Sequence, residues 1–247
     1  MKLSDYLDST YLKNSKQSGL SDSKTLEKVH ALTEEAISNG FFAVMIRPDY
    51  VRSVRMLIEE KNAIVKLGTV IDFPEGKGTV TEKISEAQKA IGDGADELDF
   101  VVDYTAFKKG NEEKVREEVE LCSRLGLKEE KVVKWIIETA ALTDDEIAKL
   151  SLLIKEIYLE KLSAFPVENI FVKSSTGFFE TVDGKPNGAN EHVIKIMLEN
   201  ASPLPVKAAG GVKTKAEAEA MISLGVKRIG TSSALQIVLG EEVKNNY

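Results

Sequence analysis

Short apolar runs rich in β-branched residues alternate along this chain with longer segments of helical periodicity. Seven runs are clear, at residues 41–48, 64–74, 97–103, 132–139, 169–175, 204–209 and 226–232. Most are continuously apolar instead of alternating with polar residues, which is typical of parallel strands covered on both faces. The pattern therefore predicts an α/β protein built on a parallel sheet.

The helical segments between the runs carry start and stop signals. Thr79, Thr143 and Thr214 each precede a glutamate by three residues, which is the spacing of a capping box at a helix N-terminus. Gly92 and Gly225 end two of these segments, as glycine often does after the last helical turn. Helices are therefore expected between most of the strands.

An eighth, short strand is predicted within residues 6–12, near the start of the sequence. Eight β/α units in 247 residues favour a closed (β/α)8 TIM barrel, a fold that typically takes about 250 residues. An open, doubly wound sheet is the alternative. No Pro/Ser-rich linker or low-complexity tract interrupts the sequence, so we expect residues 1–247 to form a single domain.

Composition argues against several classes of partner. The net charge of -7 disfavours nucleic acid and acidic lipid, since both require clustered Lys and Arg. No apolar run reaches the roughly 18 residues of a membrane helix, and the first residues lack the apolar core of a signal peptide. The single cysteine, Cys122, cannot form an internal disulfide, which suits a reducing compartment. We therefore expect a cytoplasmic protein without nucleic-acid or membrane partners.

The sequence lacks the motifs of most cofactor-dependent and nucleophilic enzymes. His30 and His192 are isolated helical residues, and no HxH, HExxH or CxxC spacing supports a zinc site. The glycine-containing stretches at 74–79 and 92–96 match neither GxGxxG nor the Walker pattern. No GxSxG motif occurs, and Cys122 has no histidine near it in the sequence. The sequence therefore predicts neither a metal nor an organic cofactor.

Two lysines occupy similar stretches at the expected ends of the sixth and seventh strands. Lys173 lies in FVKSSTGF and Lys207 in PVKAAGGV. A lysine amine can form an imine with a carbonyl substrate, but at neutral pH it is protonated, with a pKa near ~10.4. An apolar wall and a second ammonium group would both lower that pKa. The alternative is that both side chains extend to solvent, and Lys66 and Lys134 also lie in apolar runs.

Small residues follow each lysine and the last strand. Backbone N–H groups at such strand-to-helix turns bind phosphate, and in barrels this site usually lies after strands seven and eight. The candidates are Gly177, Gly210, Gly211, Ser232 and Ser233. The alternative is that the glycines only form tight turns without a ligand. Lysine chemistry beside a phosphate site favours an aldolase that acts on a phosphorylated sugar.

Six motifs in their order along the chain resemble the deoxyribose-phosphate aldolase family. They are YLDSTYLK at 6–13, GADELDFVV at 94–102, KWIIET at 134–139, FVKSSTGF at 171–178, VKAAGGVKT at 206–214 and IGTSSA at 229–234. The resemblance implies a (β/α)8 class I aldolase that reversibly cleaves 2-deoxy-D-ribose 5-phosphate into D-glyceraldehyde 3-phosphate and acetaldehyde. It implies no metal.

The resemblance also implies roles for individual residues. Lys173 matches the Schiff-base lysine, Lys207 matches the second lysine, and Asp99 matches the carboxylate that works with Lys207 and a water in proton transfer. The five glycine and serine candidates match the phosphate-binding loops. Thr10, together with Asp8, matches first-strand positions near the substrate. Tyr247 matches a terminal tyrosine with which some members assist proton transfer, whereas a terminal aromatic residue is otherwise often disordered.

Two other functions remain open at this point. One is a class I aldolase with another donor on the same barrel. The other is a non-catalytic barrel that binds sugar phosphates, although phosphate binding requires none of Lys173, Lys207 and Asp99. Because members of the family are often dimers, the resemblance also implies a homodimer.

Overall fold

Eight parallel strands close into a barrel in the computed structural model, which describes residues 2–182 and 187–241. Each strand pairs with its neighbours in chain order, and the last pairs with the first. The strands are β1 (Leu7–Tyr11), β2 (Ala43–Ile46), β3 (Lys66–Ile71), β4 (Glu97–Val101), β5 (Val132–Ile136), β6 (Ile170–Lys173), β7 (Val206–Ala209) and β8 (Arg228–Thr231). Closure confirms the predicted barrel and excludes the open sheet, whose two edge strands would each lack a neighbour.

Helices connect the strands and surround the barrel. In the described residues they are α1 (Ser15–Ser18), α2 (Asp22–Asn39), α3 (Val51–Glu60), α4 (Val80–Gly92), α5 (Tyr104–Lys108), α6 (Glu112–Lys128), α7 (Asp144–Ile157), α8 (Glu191–Ala201), α9 (Lys215–Leu224) and α10 (Ala234–Leu239). Thr79, Thr143 and Thr214 begin α4, α7 and α9 with complete capping boxes. The three helix starts expected from the sequence are therefore confirmed.

The main apolar core lies between the barrel and the helices. Trp135 on β5 stacks on Phe100 on β4 with ring centroids 5.1 Å apart, and its indole N–H donates to Ser123 on α6 at 2.8 Å. The barrel interior is different because several of its side chains are charged, among them Asp99 and Lys207. This charged interior contains the candidate site.

Two observations concern the predictions that the chain has neither a membrane helix nor a metal site. No helix within residues 2–182 and 187–241 is long and apolar enough to cross a membrane. In the same ranges, no group of three or more His, Cys, Asp or Glu side chains is arranged to hold a metal ion. His30 bonds Ser53, and the exposed His192 pairs with Asp144 at 2.7 Å.

Candidate active site

Lys173 and Lys207 meet inside the barrel. Lys173 ends β6 and lies opposite Lys207, the second residue of β7, so both side chains point to the same side of the sheet. Their exposed fractions are 3% and 0%, and each Nζ lies 2.9 Å from the same oxygen, Oδ2 of Asp99. Neither lysine extends to solvent. The structure therefore brings together the three residues that the sequence singled out.

The two lysines differ in pKa because their carboxylate neighbours differ. Burial lowers the pKa of Lys173 to about 8, and the ammonium groups of Lys207 and Lys134 add to this effect against the attraction of Asp99. Burial acts on Lys207 as well, but Asp8 and Asp99 outweigh it and raise its pKa. Near neutral pH, Lys207 therefore stays charged, and Lys173 is the lysine that can become a free amine.

Asp99 is an ionised carboxylate at the centre of this group. Burial alone would raise its pKa, but Lys134, Lys173 and Lys207 together hold it well below the usual range. Its Oδ1 accepts a hydrogen bond from Lys134 at 2.7 Å, which leaves Oδ2 for Lys173 and Lys207. The carboxylate is thus fixed on one side and faces both candidate catalytic lysines on the other.

The sequence did not distinguish Lys134 from Lys66, and it missed Glu97 and Arg228. Lys66 is exposed at the start of β3, whereas Lys134 is fully buried and also donates to Glu97 at 2.7 Å. Arg228 contacts both Glu97 and Asp8. A usable signal exists: Glu97 and Asp99 stand two residues apart in an apolar strand, so both carboxylates face the barrel interior.

Glycine loops after β6 and β7 adjoin at the carboxyl end of the barrel. A Cβ on Gly177 would lie 3.8 Å from the Cα of Gly210. Gly210 has a φ of 79°, and a Cβ there would lie only 2.5 Å from the carbonyl oxygen of Asn187. Among the described residues, the N–H groups of Gly177, Gly210 and Gly211 have no acceptor. These three amides are therefore available for an anion.

The structure separates the two serines after β8. Ser232 is exposed, and its N–H finds no acceptor in ranges 2–182 and 187–241. Ser233 is buried, and its N–H already donates to Oγ1 of Thr231 at 3.0 Å. The Thr231 hydroxyl donates in turn to the carbonyl of Val212, which ties this loop to the one after β7. Of the two serines, Ser232 is therefore the one whose amide is available to a ligand.

Comparison with known proteins decides the family. The sequence model described as "DeoC/LacD family aldolase" matches residues 8–237. The chain belongs to this family. It is 38% identical over 241 residues to the deoxyribose-phosphate aldolase of Thermococcus gammatolerans, covering 97% of this chain and 96% of that protein. It is 36% identical to the enzyme of the same name from Lactiplantibacillus plantarum, covering 96% of this chain and 99% of that one.

Solved structures of similar proteins share the aldolase barrel. A putative deoxyribose-phosphate aldolase from Coccidioides immitis superposes with a TM-score of 0.78 at 28% identity, over 96% of this chain and 85% of that one. The deoxyribose phosphate aldolase from Aeropyrum pernix, described as a unique tetrameric structure, gives 0.75 at 30% identity, over 96% and 89%. The family resemblance found in the sequence is confirmed.

Glu138 is a further polar residue of this aldolase that the sequence reasoning missed. It is buried just after β5 in a left-handed conformation, with a φ of 55°. Its Oε2 accepts hydrogen bonds from both the N–H, at 3.2 Å, and the hydroxyl of Thr176. Burial raises its pKa. Because the Thr176 amide donates to Glu138, it is not available to a ligand, although it directly precedes the candidate Gly177.

An apolar cluster lies at the same end of the aldolase barrel as the lysines. It is separate from the main core and consists of Leu12, Met45 and Val70, with Phe73 and Phe178 packed against it. The Phe73 and Phe178 rings meet edge to face with centroids 5.1 Å apart. Because Phe178 directly follows Gly177, the cluster adjoins the loop after β6.

Two remaining candidates differ in what can be said of them. Thr10 lies on β1 two residues beyond Asp8, so both point to the same side of the strand, and its hydroxyl donates to the Asp8 carbonyl at 2.9 Å. It is half-buried and lies nearer the carboxyl end of the barrel. Tyr247 lies outside the described residues, so its approach to the site remains a prediction.

Proposed function

We propose that this aldolase reversibly cleaves 2-deoxy-D-ribose 5-phosphate into D-glyceraldehyde 3-phosphate and acetaldehyde. The observation that carries the proposal is the Lys173 amine, buried with a pKa of about 8 beside Asp99 and the charged Lys207. Relatives named deoxyribose-phosphate aldolase at 36% to 38% identity over nearly their full length support the choice of substrate.

In the proposed reaction, Lys173 supplies the electron sink. Its neutral amine adds to the C1 aldehyde of the open-chain sugar, and loss of water gives a protonated imine. The C3 hydroxyl then loses its proton, the C2–C3 bond breaks, and its electron pair moves into the imine to give an enamine. D-Glyceraldehyde 3-phosphate leaves, C2 of the enamine takes up a proton, and water releases acetaldehyde. The imine takes the role that a metal or an organic cofactor would otherwise fill, so the proposal includes neither.

Lys207 and Asp99 are the proposed proton-transfer groups. Asp99 Oδ2 lies 2.9 Å from Nζ of both Lys173 and Lys207, so it links the two lysines. Lys207 has the raised pKa expected of a group that stays protonated until it donates its proton. Asp99 stays ionised and works with Lys207 and a water, which carries the proton. Positioned proton transfer of this kind typically contributes about 10²- to 10⁴-fold to a rate.

The loops after β6, β7 and β8 are the proposed phosphate site. The amides of Gly177, Gly210, Gly211 and Ser232 would donate to the phosphate oxygens, as amides at strand-to-helix turns do elsewhere. We assign Ser233 to the same loop, where its engaged amide supports the turn. Thr10 and Asp8 are proposed to lie near the sugar.

Cleavage of the sugar phosphate tests this function directly. The enzyme is incubated with 2-deoxy-D-ribose 5-phosphate, and acetaldehyde and D-glyceraldehyde 3-phosphate are measured separately, with and without a chelator. Both products should form at equal rates in either case. In the reverse direction, a panel of aldehyde and ketone donors should show preference for acetaldehyde. Cleavage that depends on a metal, or synthesis only with a ketone donor, would contradict the proposal.

Three broader expectations are also proposals. We propose one barrel domain over residues 1–247, a cytoplasmic location supported by the buried free Cys122, and a homodimer. The similar Aeropyrum pernix enzyme is described as a tetramer, so the oligomeric state needs its own measurement. Light scattering on the eluting protein distinguishes the masses of a dimer and a tetramer.

A further inference from the structure

Six charged side chains form a closed ring inside the barrel. Acidic and basic members alternate around it, and each contacts the next. In order they are Asp8, Arg228, Glu97, Lys134, Asp99 and Lys207, which returns to Asp8. All are at most 4% exposed. The six ring members lie on five strands, β1, β4, β5, β7 and β8.

The contacts around the ring are short. Lys207 Nζ lies 2.6 Å from Asp8 Oδ2 and 2.9 Å from Asp99 Oδ2. Lys134 Nζ lies 2.7 Å from both Asp99 Oδ1 and Glu97 Oε2. Every basic member therefore bridges two carboxylates, because Arg228 likewise contacts the two carboxylates on either side of it.

The alternation makes the ring electrically neutral when all its members are ionised. The lowered pKa of Glu97, about 2, and the raised pKa values of Lys207 and Arg228 fit that state: for each, burial opposes the charged form and the ring partners outweigh it. Lys173 is a seventh group, which contacts the ring at Asp99. Protonating Lys173 would thus place an uncompensated positive charge in a low-dielectric interior.

Lys173 also has neighbours outside this arrangement that bear on its charge. Among the described residues, Glu138 in the loop after β5 interacts with it electrostatically, in addition to Asp99, Lys207 and Lys134 on β4, β7 and β5. Glu138 has its own partner, Thr176, and is not part of the ring.

We propose that Glu97, Lys134 and Arg228 are positioning residues that set how readily Lys173 becomes a free amine, because their charges keep the ring neutral. None of the three forms an ion pair with Lys173 in the described part of the chain, so each acts through Asp99 or through its charge. The inference rests on the proposed imine chemistry of Lys173. It assigns to the far side of the ring a role in catalysis and not only in stability.

Opposite changes of ring charge test this inference. Glu97→Gln leaves the ring with one excess positive charge, which should lower the pKa of Lys173. Lys134→Met leaves one excess negative charge, which should raise it. A role confined to stability predicts losses of activity for both variants but no shift in opposite directions. The exposed Lys66 provides a matched control, Lys66→Met, since it is also a strand lysine in an apolar run.

The readout is the rate at which acetaldehyde and borohydride modify Lys173, measured across pH with the folded state checked by thermal unfolding. We expect the midpoint of the pH profile to move down by about one unit in Glu97→Gln and up by about one unit in Lys134→Met. In the variant that combines Glu97→Gln and Lys134→Met, the midpoint should return towards that of the unmodified enzyme. The midpoint of Lys66→Met should equal that of the unmodified enzyme.

The outcomes separate the two proposals. No adduct in the unmodified enzyme overturns the proposed function. An adduct whose pH midpoint stays fixed, or moves the same way in both variants, overturns the role of the ring. If Lys134→Met does not fold, Arg228→Gln removes the same charge and must also move the midpoint up, and the direction in Glu97→Gln decides independently.

Discussion

Lys173 and Lys207 are direct partners on neighbouring strands and share one oxygen of Asp99, yet their pKa values move in opposite directions. The difference arises because Lys207 has a second carboxylate, Asp8, whereas within residues 2–182 and 187–241 Lys173 forms an ion pair with Asp99 alone. A pair of similar sequence stretches thus provides one amine that can lose its proton and one ammonium that retains it.

Replacing Lys173 should stabilise the protein while abolishing catalysis. Its folded pKa of about 8 lies below the unfolded value of ~10.4, so the unfolded chain binds this proton more tightly. Below pH 8 the buried proton therefore lowers the free energy of unfolding by about 3 kcal/mol, and this destabilisation disappears as the pH rises from 8 to 10.4. We expect Lys173→Met to raise the melting temperature at pH 7, and to raise it less at pH 10. A lower melting temperature of Lys173→Met at pH 7 would show that the protonated Lys173 does not destabilise the folded protein.

Replacing Lys207 should affect both rate and pH dependence. Lys207→Met removes a positive charge beside Lys173, so the pKa of Lys173 should rise and the pH profile of kcat/KM should move to higher pH. Loss of a proton donor should also lower kcat by about 10²-fold or more, even at the new optimum. Steady-state kinetics between pH 6 and 10 measure both effects. An unchanged profile would mean that Lys207 does not act on Lys173.

Glu138 should position the loop that follows the Schiff-base lysine. Glu138→Ala leaves the amide and hydroxyl of Thr176 without their acceptor, which costs about 1–3 kcal/mol per buried group and frees Gly177 to move. We expect KM for the sugar phosphate to rise about tenfold, with less change for unphosphorylated deoxyribose. Glu138→Gln keeps an acceptor for Thr176 and should retain most of the affinity. An equal rise in KM for the two substrates would mean that Glu138 does not act through the phosphate-binding loop.

The glycine at position 210 should be required for phosphate recognition. Gly210→Ala puts a Cβ 2.5 Å from the Asn187 carbonyl at a left-handed residue, so the loop must shift. The preference for phosphorylated over unphosphorylated substrate, measured as a ratio of kcat/KM, should fall at least tenfold. Gly92→Ala is the control, because a Cβ there meets no atom within 4 Å. If the ratio is the same in both variants, the amides after β7 do not bind the phosphate.

Local signals explain what could be predicted from the sequence. The three capping boxes and the apolar strands depend on residues close together in the chain, so Thr79, Thr143 and Thr214 were identified correctly. Lys173 and Asp99 were found because their motifs are contiguous and match a known family.

Closure of the barrel explains what could not be predicted. Arg228 and Asp8 are 220 residues apart and meet only because β8 pairs with β1. Whether Lys134 or Lys66 faces the interior depends on strand register and on where each strand begins, which composition does not encode. The distinction between Ser232 and Ser233 likewise depends on the hydroxyl of Thr231.

Trapping the imine tests the central claim most directly. The enzyme is treated with borohydride in the presence of 2-deoxy-D-ribose 5-phosphate or acetaldehyde, digested, and mapped by mass spectrometry. We predict one reduced adduct, on Lys173, that is absent in Lys173→Met and still present, though formed more slowly near neutral pH, in Lys207→Met. An adduct on Lys207, or none on either lysine, would contradict the claim that Lys173 is the amine that forms the imine.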